Sequence, residues 1–440
     1  MEAKNLNNGW SAAGSNKEDL RNVLVELEAA THYVVVNPEE LTLFSRERHT
    51  NGKYYTVALS KNTVKNGFLG VAKEFTTNAK TISESCEDID SDLLSESMTA
   101  GAMVYVPFDE SGNKIIYTSE EGMRSLAFMT GLSMDDSKAE KGTDQNIFRD
   151  ALIMNRLNKP VTLVIRAAEG KNGVQCRKLF GVLSEKYTPV SLETITDLID
   201  AYEADDAFGK GELKTWSTDH FFSSAIVEFP ELANEFSLTY GLTEDIVPGV
   251  RISTSCTGQS AYRVQSVFRM GTSSSYMVTG EMARKHTGEI KPDELITEAK
   301  NKLFADVTEI PKALSEKMTK FIYDGDVATE KGKKKNKAAV TAAYRRGVRK
   351  LHVKKAIGDK RTNTLLTTLE AEILDGEKYT EFDIAATLMT IGDRIANLPA
   401  YVRNKLEKAV ADAPFVTYAS KNDEDMIIRP DDDADDGGDE

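Results

Sequence analysis

The chain has 440 residues, 40% hydrophobic and 28% charged, with a formal net charge of −15; this is ordinary globular usage and excludes wholesale disorder. Its length leaves room for two or three domains at roughly 100–200 residues each. No stretch approaches the roughly 20 apolar residues of a membrane span, and the start, MEAKNLNNGWSAAGSNKEDL, has no basic flank followed by an apolar run, so neither membrane insertion nor a signal peptide is expected and the expected location is the cytoplasm, a host's if the chain is viral.

Residues 1–20 are polar and rich in Asn, Ser and Gly, and read as a flexible arm. Val23 to Val36 begins with helical spacing and ends in THYVVV, a β-branched run that reads as a strand closed by Asn37-Pro38. Lys53 to Ser60 is a second strand. Thr81 to Ser97 carries six acids and no base, the composition of a solvated helix face or loop. Ala102–Pro107 and Lys114–Thr118 read as a hairpin. Residues 119–131 and 144–158 read as helices, and Val161–Ala167 and Lys178–Leu183 as paired strands.

Leu192 to Tyr202 has Leu192, Ile195, Leu198 and Ile199 at amphipathic helical spacing. From Thr215 to Val278 β-like runs dominate, with turns expected at Pro230, Gly241, Pro248-Gly249 and Gly271. After about residue 290 the texture turns helical: Pro292–Lys302, Ile310–Tyr323, Lys337–Ile357, Thr362–Leu374 and Phe382–Ala411. The expected class is α+β, a mixed, mainly antiparallel sheet core over residues 21–290. A helical region at 291–420 and a disordered acidic tail at 421–440 follow.

The charge is sharply segregated. Residues 331–361 hold thirteen Lys or Arg against one acid, Asp359, a net +12, while residues 422–440 hold ten acids against Arg429, a net −9. Val340, Tyr344, Val348 and Leu351 follow i, i+4, i+8, i+11 and would line one side of a helix. Lys333, Lys334, Lys335, Lys337, Arg345, Arg346, Arg349, Lys350, Lys354 and Lys355 would then form a ridge on the rest. Polyphosphate suits such a ridge because each neutralised phosphate releases counterions, and Tyr344 could stack on an unpaired base. The competing readings are a solvated helix face or a partner for an acidic surface, such as the chain's own tail. That tail cannot bury a core and, tethered, would compete for the ridge at high effective concentration.

Three segments carry a family resemblance: Gly181–Val190 (GVLSEKYTPV); Arg251–Gly258 (RISTSCTG), leading into Tyr262–Met270 (YRVQSVFRM); and Ala283–Gly288 (ARKHTG). In this order, over about residues 150–290, they resemble a phage and plasmid family catalogued as domain of unknown function 932. The sequence departs from it at Gly271–Ser275, GTSSS, where the family often has Cys-x-Asn-Gly. The resemblance implies a phage or plasmid origin and no particular reaction. Arg263 and Arg269, an even six apart, would share one face of a strand. With Arg284, Lys285 and His286 they could form an anion-binding patch; alternatively the arginines pair with nearby acids.

The chain contains no P-loop, dinucleotide fingerprint, nucleophile elbow or H-E-x-x-H. Cys86, Cys176 and Cys256 are too dispersed for a disulfide framework or a zinc site, and the five histidines are scattered. No metal or cofactor is therefore expected, no catalytic residue can be read from the sequence, and a non-enzymatic role is favoured. The leading expectation is a protein that binds single-stranded DNA or RNA in replication or recombination. Its tail would compete for the basic site or recruit a replication or recombination protein, and homo-oligomers are left open. The alternatives are a phage assembly or virion-associated structural protein, and an enzyme with an unrecognised site in the β-rich core, for which a deep pocket lined by Arg263, Arg269 and His286 would be diagnostic.

Overall fold

A computed structural model describes residues 2–50, 53–65, 74–77, 90–110, 112–132, 145–170, 175–204, 209–233, 246–270, 276–286, 291–315, 321–324, 359–372 and 378–380, with short stretches at 387–388, 390–391, 403–404 and 406–407. It is an α+β architecture with mainly antiparallel sheets. The basic residues 331–358, with the ridge helix expected at Lys337–Ile357, and the acidic tail lie outside the described residues, as does most of Phe382–Ala411.

Sheet two is six-stranded and wholly antiparallel. It contains β1 (Ser11–Gly14), β10 (Glu212–Asp219), β11 (Ser223–Glu228), β12 (Ile246–Thr254), β13 (Tyr262–Met270) and β14 (Tyr276–Arg284), in that order. Sheet one has eight strands: β2 (Thr31–Val36), β3 (Thr42–Thr50), β4 (Lys53–Ser60), β5 (Glu74–Thr77), β6 (Ala102–Asp109), β7 (Gly112–Thr118), β8 (Val161–Glu169) and β9 (Gln175–Ser184). Their order is β2-β8-β9-β7-β6-β3-β4-β5, and only β7 and β9 run parallel. A two-stranded ladder joins β15 (Phe321–Asp324) to β16 (Lys378–Thr380).

The helices follow their sequence signals closely. α1 (Lys17–Ala29) starts at Asn16, whose side chain accepts from the Asp19 amide, and buries Leu20, Leu24 and Leu27, spaced to form one stripe. α2 (Lys61–Lys65) and α3 (Ser91–Ala100) follow. α4 (Glu120–Met129) is capped by Ser119 and packs on β9 so closely that a Cβ at Gly122 would lie 2.7 Å from the Leu179 carbonyl oxygen. With α5 (Gln145–Arg156) it covers a core built on Val104, Ile116, Leu126, Ile153 and Leu163. α6 (Thr194–Glu203) and α7 (Pro292–Ser315) join α1 over sheet two, burying Leu24, Ile195, Leu198, Leu295 and Leu303 with Ile252, Val264 and Phe268. Leu365 and Leu369 of α8 (Asp359–Glu372) belong to this same core.

Four expectations need correction. Residues 1–20 are not a loose arm: Leu6 is fully buried, and β1 pairs with β10. A few apolar anchors outweigh the polar composition around them. The acidic stretch before the hairpin is not wholly solvated, because α3 buries Leu93 and Met98. Pro248-Gly249 is not a turn but part of β12. The last β11 pairing, Glu228 with Gly249, leaves Pro248 beyond the end of that ladder, where it forfeits no pairing with β11. Gly249 is needed there because a Cβ would stand 2.6 Å from the Val227 carbonyl oxygen. Finally, the region after residue 290 is not purely helical. α7 runs past Lys302 to Ser315, with Asp306 accepting from Ser266 Oγ at 2.7 Å, and residues expected to be helical form β15.

Candidate functional site

The two sheets meet at a buried polar hub. Arg166 of β8 is fully buried, and its guanidinium donates to His220 Nδ1, to the His220 carbonyl at 2.7 Å and to Cys256 Sγ at 3.0 Å. Arginine can only donate, so His220 Nδ1 accepts. The imidazole proton therefore sits on Nε2, which donates to the Asn7 carbonyl at 3.1 Å. The ring stacks on Phe180 at 4.0 Å. Burial, then the charges of Arg166 and Lys178, push the His220 pKa down to about 2. Lys178 is itself buried, paired with Glu96 and donating to the Leu6 carbonyl at 2.9 Å. The first ten residues, sheet one and sheet two are thus fastened at one point. This hub is closed to solvent, so His220 is a framework residue.

A cavity of about 530 Å³ opens beside it. Phe180 and Val182 form its back, α4 one lip, the β12–β13 loop the second, and the exit of β14 the third. The local geometry follows from glycines and hydroxyls. A Cβ at Gly181 would meet the Thr257 carbonyl oxygen at 3.0 Å, so any side chain there would push the loop a few tenths of an ångström off β9. Gly258 turns that loop with φ +78°, a region that favours glycine. Ser255 Oγ accepts from the Gln259 amide at 3.1 Å, and the Tyr187 hydroxyl donates to the Ser255 carbonyl at 3.1 Å.

A stack of three rings supports the third lip. Tyr187 lies 6.0 Å from Tyr33 on one side and 5.1 Å from His286 on the other, both nearly parallel. Burial raises the pKa of both tyrosines and lowers that of His286. His286 is 6% exposed; its Nε2 lies 3.4 Å from Thr254 Oγ1, and its Nδ1 has no hydrogen-bond partner among the described residues. At the rim, Phe128 is 79% exposed, and Lys285 is exposed with no ion pair among the described residues. Glu121 and Arg124 pair on the α4 lip; burial raises the Glu121 pKa against the opposing pull of Arg124.

The three family-like segments converge here: Ser184 and Tyr187 from the first, Thr257 and Gly258 from the second, Lys285 and His286 from the third. The strand arginines do not join them. Arg263 and Arg269 share a face of β13, as their even spacing predicts, but Arg263 pairs with Glu281 and Arg269 grips Glu228 at 2.6 and 3.1 Å. The register of β13 and β14 puts Arg284 on the opposite face, against Glu298 of α7. The patch of Arg263, Arg269, Arg284, Lys285 and His286 is therefore not assembled. The face bearing Arg263 and Arg269 is instead met by residues near the C-terminus, where Arg251 pairs with Glu407 and donates to Asn404 at 3.1 Å.

Sequence reasoning missed Phe128, Arg124 and Gln259. A signal existed for Phe128, an apolar residue off the stripe that buries Met123, Leu126 and Ala127. Lys333, Lys334, Lys335, Lys337, Tyr344, Arg345, Arg346, Arg349, Lys350, Lys354 and Lys355 lie outside the described residues. Among the described residues no cluster of three metal-type ligands occurs, and no helix is long and apolar enough to cross a membrane. Comparison of the chain with family models, with curated proteins and with solved structures finds no match, so the resemblance rests on the quoted residues alone.

Proposed function

We propose that the protein binds single-stranded nucleic acid in phage or plasmid replication or recombination, its acidic tail competing for the binding site. The observation that carries this reading is the charge segregation: a +12 block at 331–361 in a chain of net −15 that ends in a −9 tail. A cationic segment on an otherwise acidic chain concentrates phosphate contacts where each releases counterions, while the tail lowers affinity for weak polyanions. That Arg263, Arg269 and Arg284 are each engaged by a carboxylate supports a phosphate grip carried by the block and not by sheet two.

The test is fluorescence anisotropy with a labelled single-stranded oligonucleotide across a salt titration. It compares the full chain, a truncation after Arg429, and a variant with Lys333, Lys334, Lys335, Arg345, Arg346 and Arg349 changed to Ala. Binding should strengthen as salt falls, tighten without the tail and vanish in the Ala variant. No binding by the truncated chain at low salt sinks the reading, and salt-sensitive oligomers without nucleic acid would point instead to assembly.

A further inference from the structure

The cavity between the sheets is built for a ligand with a flat ring, hydrogen-bonding edges and one negative charge. Its volume of about 530 Å³ falls within the span of small-ligand sites, roughly 300–1,000 Å³. Phe128 offers an aromatic ring at the rim with 79% of its surface exposed, open for a flat ligand to stack on. Within, the His286 ring forms part of the wall, set against the Ser260 and Thr188 backbone, and the half-buried Gln259 side-chain amide makes no hydrogen bond among the described residues. An amide that lines a cavity and carries both a donor and an acceptor suits the hydrogen-bonding edge of a ligand.

The charge at the mouth is asymmetric. On the α4 lip Arg124 is matched by Glu120 and Glu121. On the opposite lip Lys285 has no carboxylate partner among the described residues, so an anion would sit there.

We propose that this pocket holds one nucleotide of a bound single strand. The base covers Phe128 and turns its edge toward Gln259, while the adjoining phosphate lies at Lys285. This rests on the single-strand reading above. The basic block supplies sequence-independent grip, and the pocket fixes one unstacked base on the folded core. Stacking tolerates any base, because every base has a π-face, whereas the edge contacts add a preference.

The test uses the full chain, a labelled oligothymidylate for anisotropy, and the same strand carrying 5-bromodeoxyuridine for photo-cross-linking and peptide mapping. Phe128 and Lys285 are both exposed, so F128A and K285A leave the fold intact. F128A should weaken binding about tenfold with its salt slope unchanged, as expected for loss of one stacked base. K285A should flatten the log–log salt slope by about 0.7, one phosphate on a single strand. Cross-links should map to peptides containing Phe128 or Gln259. If the wild type binds but both variants match it, with cross-links confined to residues 331–361, the pocket proposal is overturned while the single-strand reading survives. If the wild type shows no binding at low salt, with or without its tail, both fall together.

Discussion

The neutral His220 makes a sharp prediction about acid. In the folded chain Nδ1 accepts from Arg166 and cannot take a proton without setting two cations together, and the pKa lies near 2 against 6.5 for a free imidazole. Below pH 6.5 the unfolded chain binds a proton that the native protein refuses, so the stability conferred by His220 is complete above that pH and is lost as pH falls. Each pH unit is worth about 1.36 kcal/mol, so lowering the pH from about 7.5 to 4.5 should remove about 2.7 kcal/mol through this residue alone. The perturbation is H220Q, which keeps one donor and one acceptor but does not titrate. Burial also lowers the pKa of His286 and His32 and raises that of Asp219, so the informative quantity is wild type minus variant. Urea denaturation at the two pH values can be followed by tryptophan emission, since Trp10 lies 5.1 Å from the His220 ring. H220Q should lose about 2.7 kcal/mol less than wild type over this interval. Equal losses in the two proteins would refute a buried neutral His220.

Two further outcomes probe the framework. Leu6 is fully buried in a segment whose composition reads as an arm, so L6A should cost about 2–5 kcal/mol in urea denaturation; a change below about 0.5 kcal/mol would restore the arm. Glu228 is 3% exposed, and although burial alone would raise its pKa, hydrogen bonds from Arg269 and Tyr276 hold it below the usual carboxylate range. R269M should therefore cost about 3 kcal/mol at neutral pH and less on acidification, as the stranded carboxylate takes up a proton. A small, pH-independent cost would show that the pair contributes little.

The proposed division of labour places electrostatic grip and base contact on different parts of the chain. The fold brings carboxylates from other strands and from α7 to the arginines of sheet two and pairs them off: Arg263 with Glu281, Arg269 with Glu228, Arg284 with Glu298. Lys285, which has no carboxylate partner among the described residues, stands out against that background.

Local pattern was enough for much of the fold. The helical stripe of Ile195, Leu198 and Ile199, the hairpin of β6 and β7, the pairing of β8 with β9 and the β-rich stretch from Thr215 to Val278 were all legible, because periodicity and turn chemistry are properties of a few neighbouring residues. The even spacing of Arg263 and Arg269 likewise gave their common face. Tertiary structure decided the rest. That β7 lies parallel to β9, that polar residues 2–14 are built into the fold, and that Pro248-Gly249 continues a strand all depend on partners far away in the chain. The pocket has the same origin. Phe128, Gln259 and His286 are ordinary residues one by one, and only the meeting of α4, the β12–β13 loop and the end of β14 places them around one cavity. Sequence sets which faces are apolar and where charge accumulates; which faces meet depends on contacts between residues distant in the chain, and no short-range pattern encodes them.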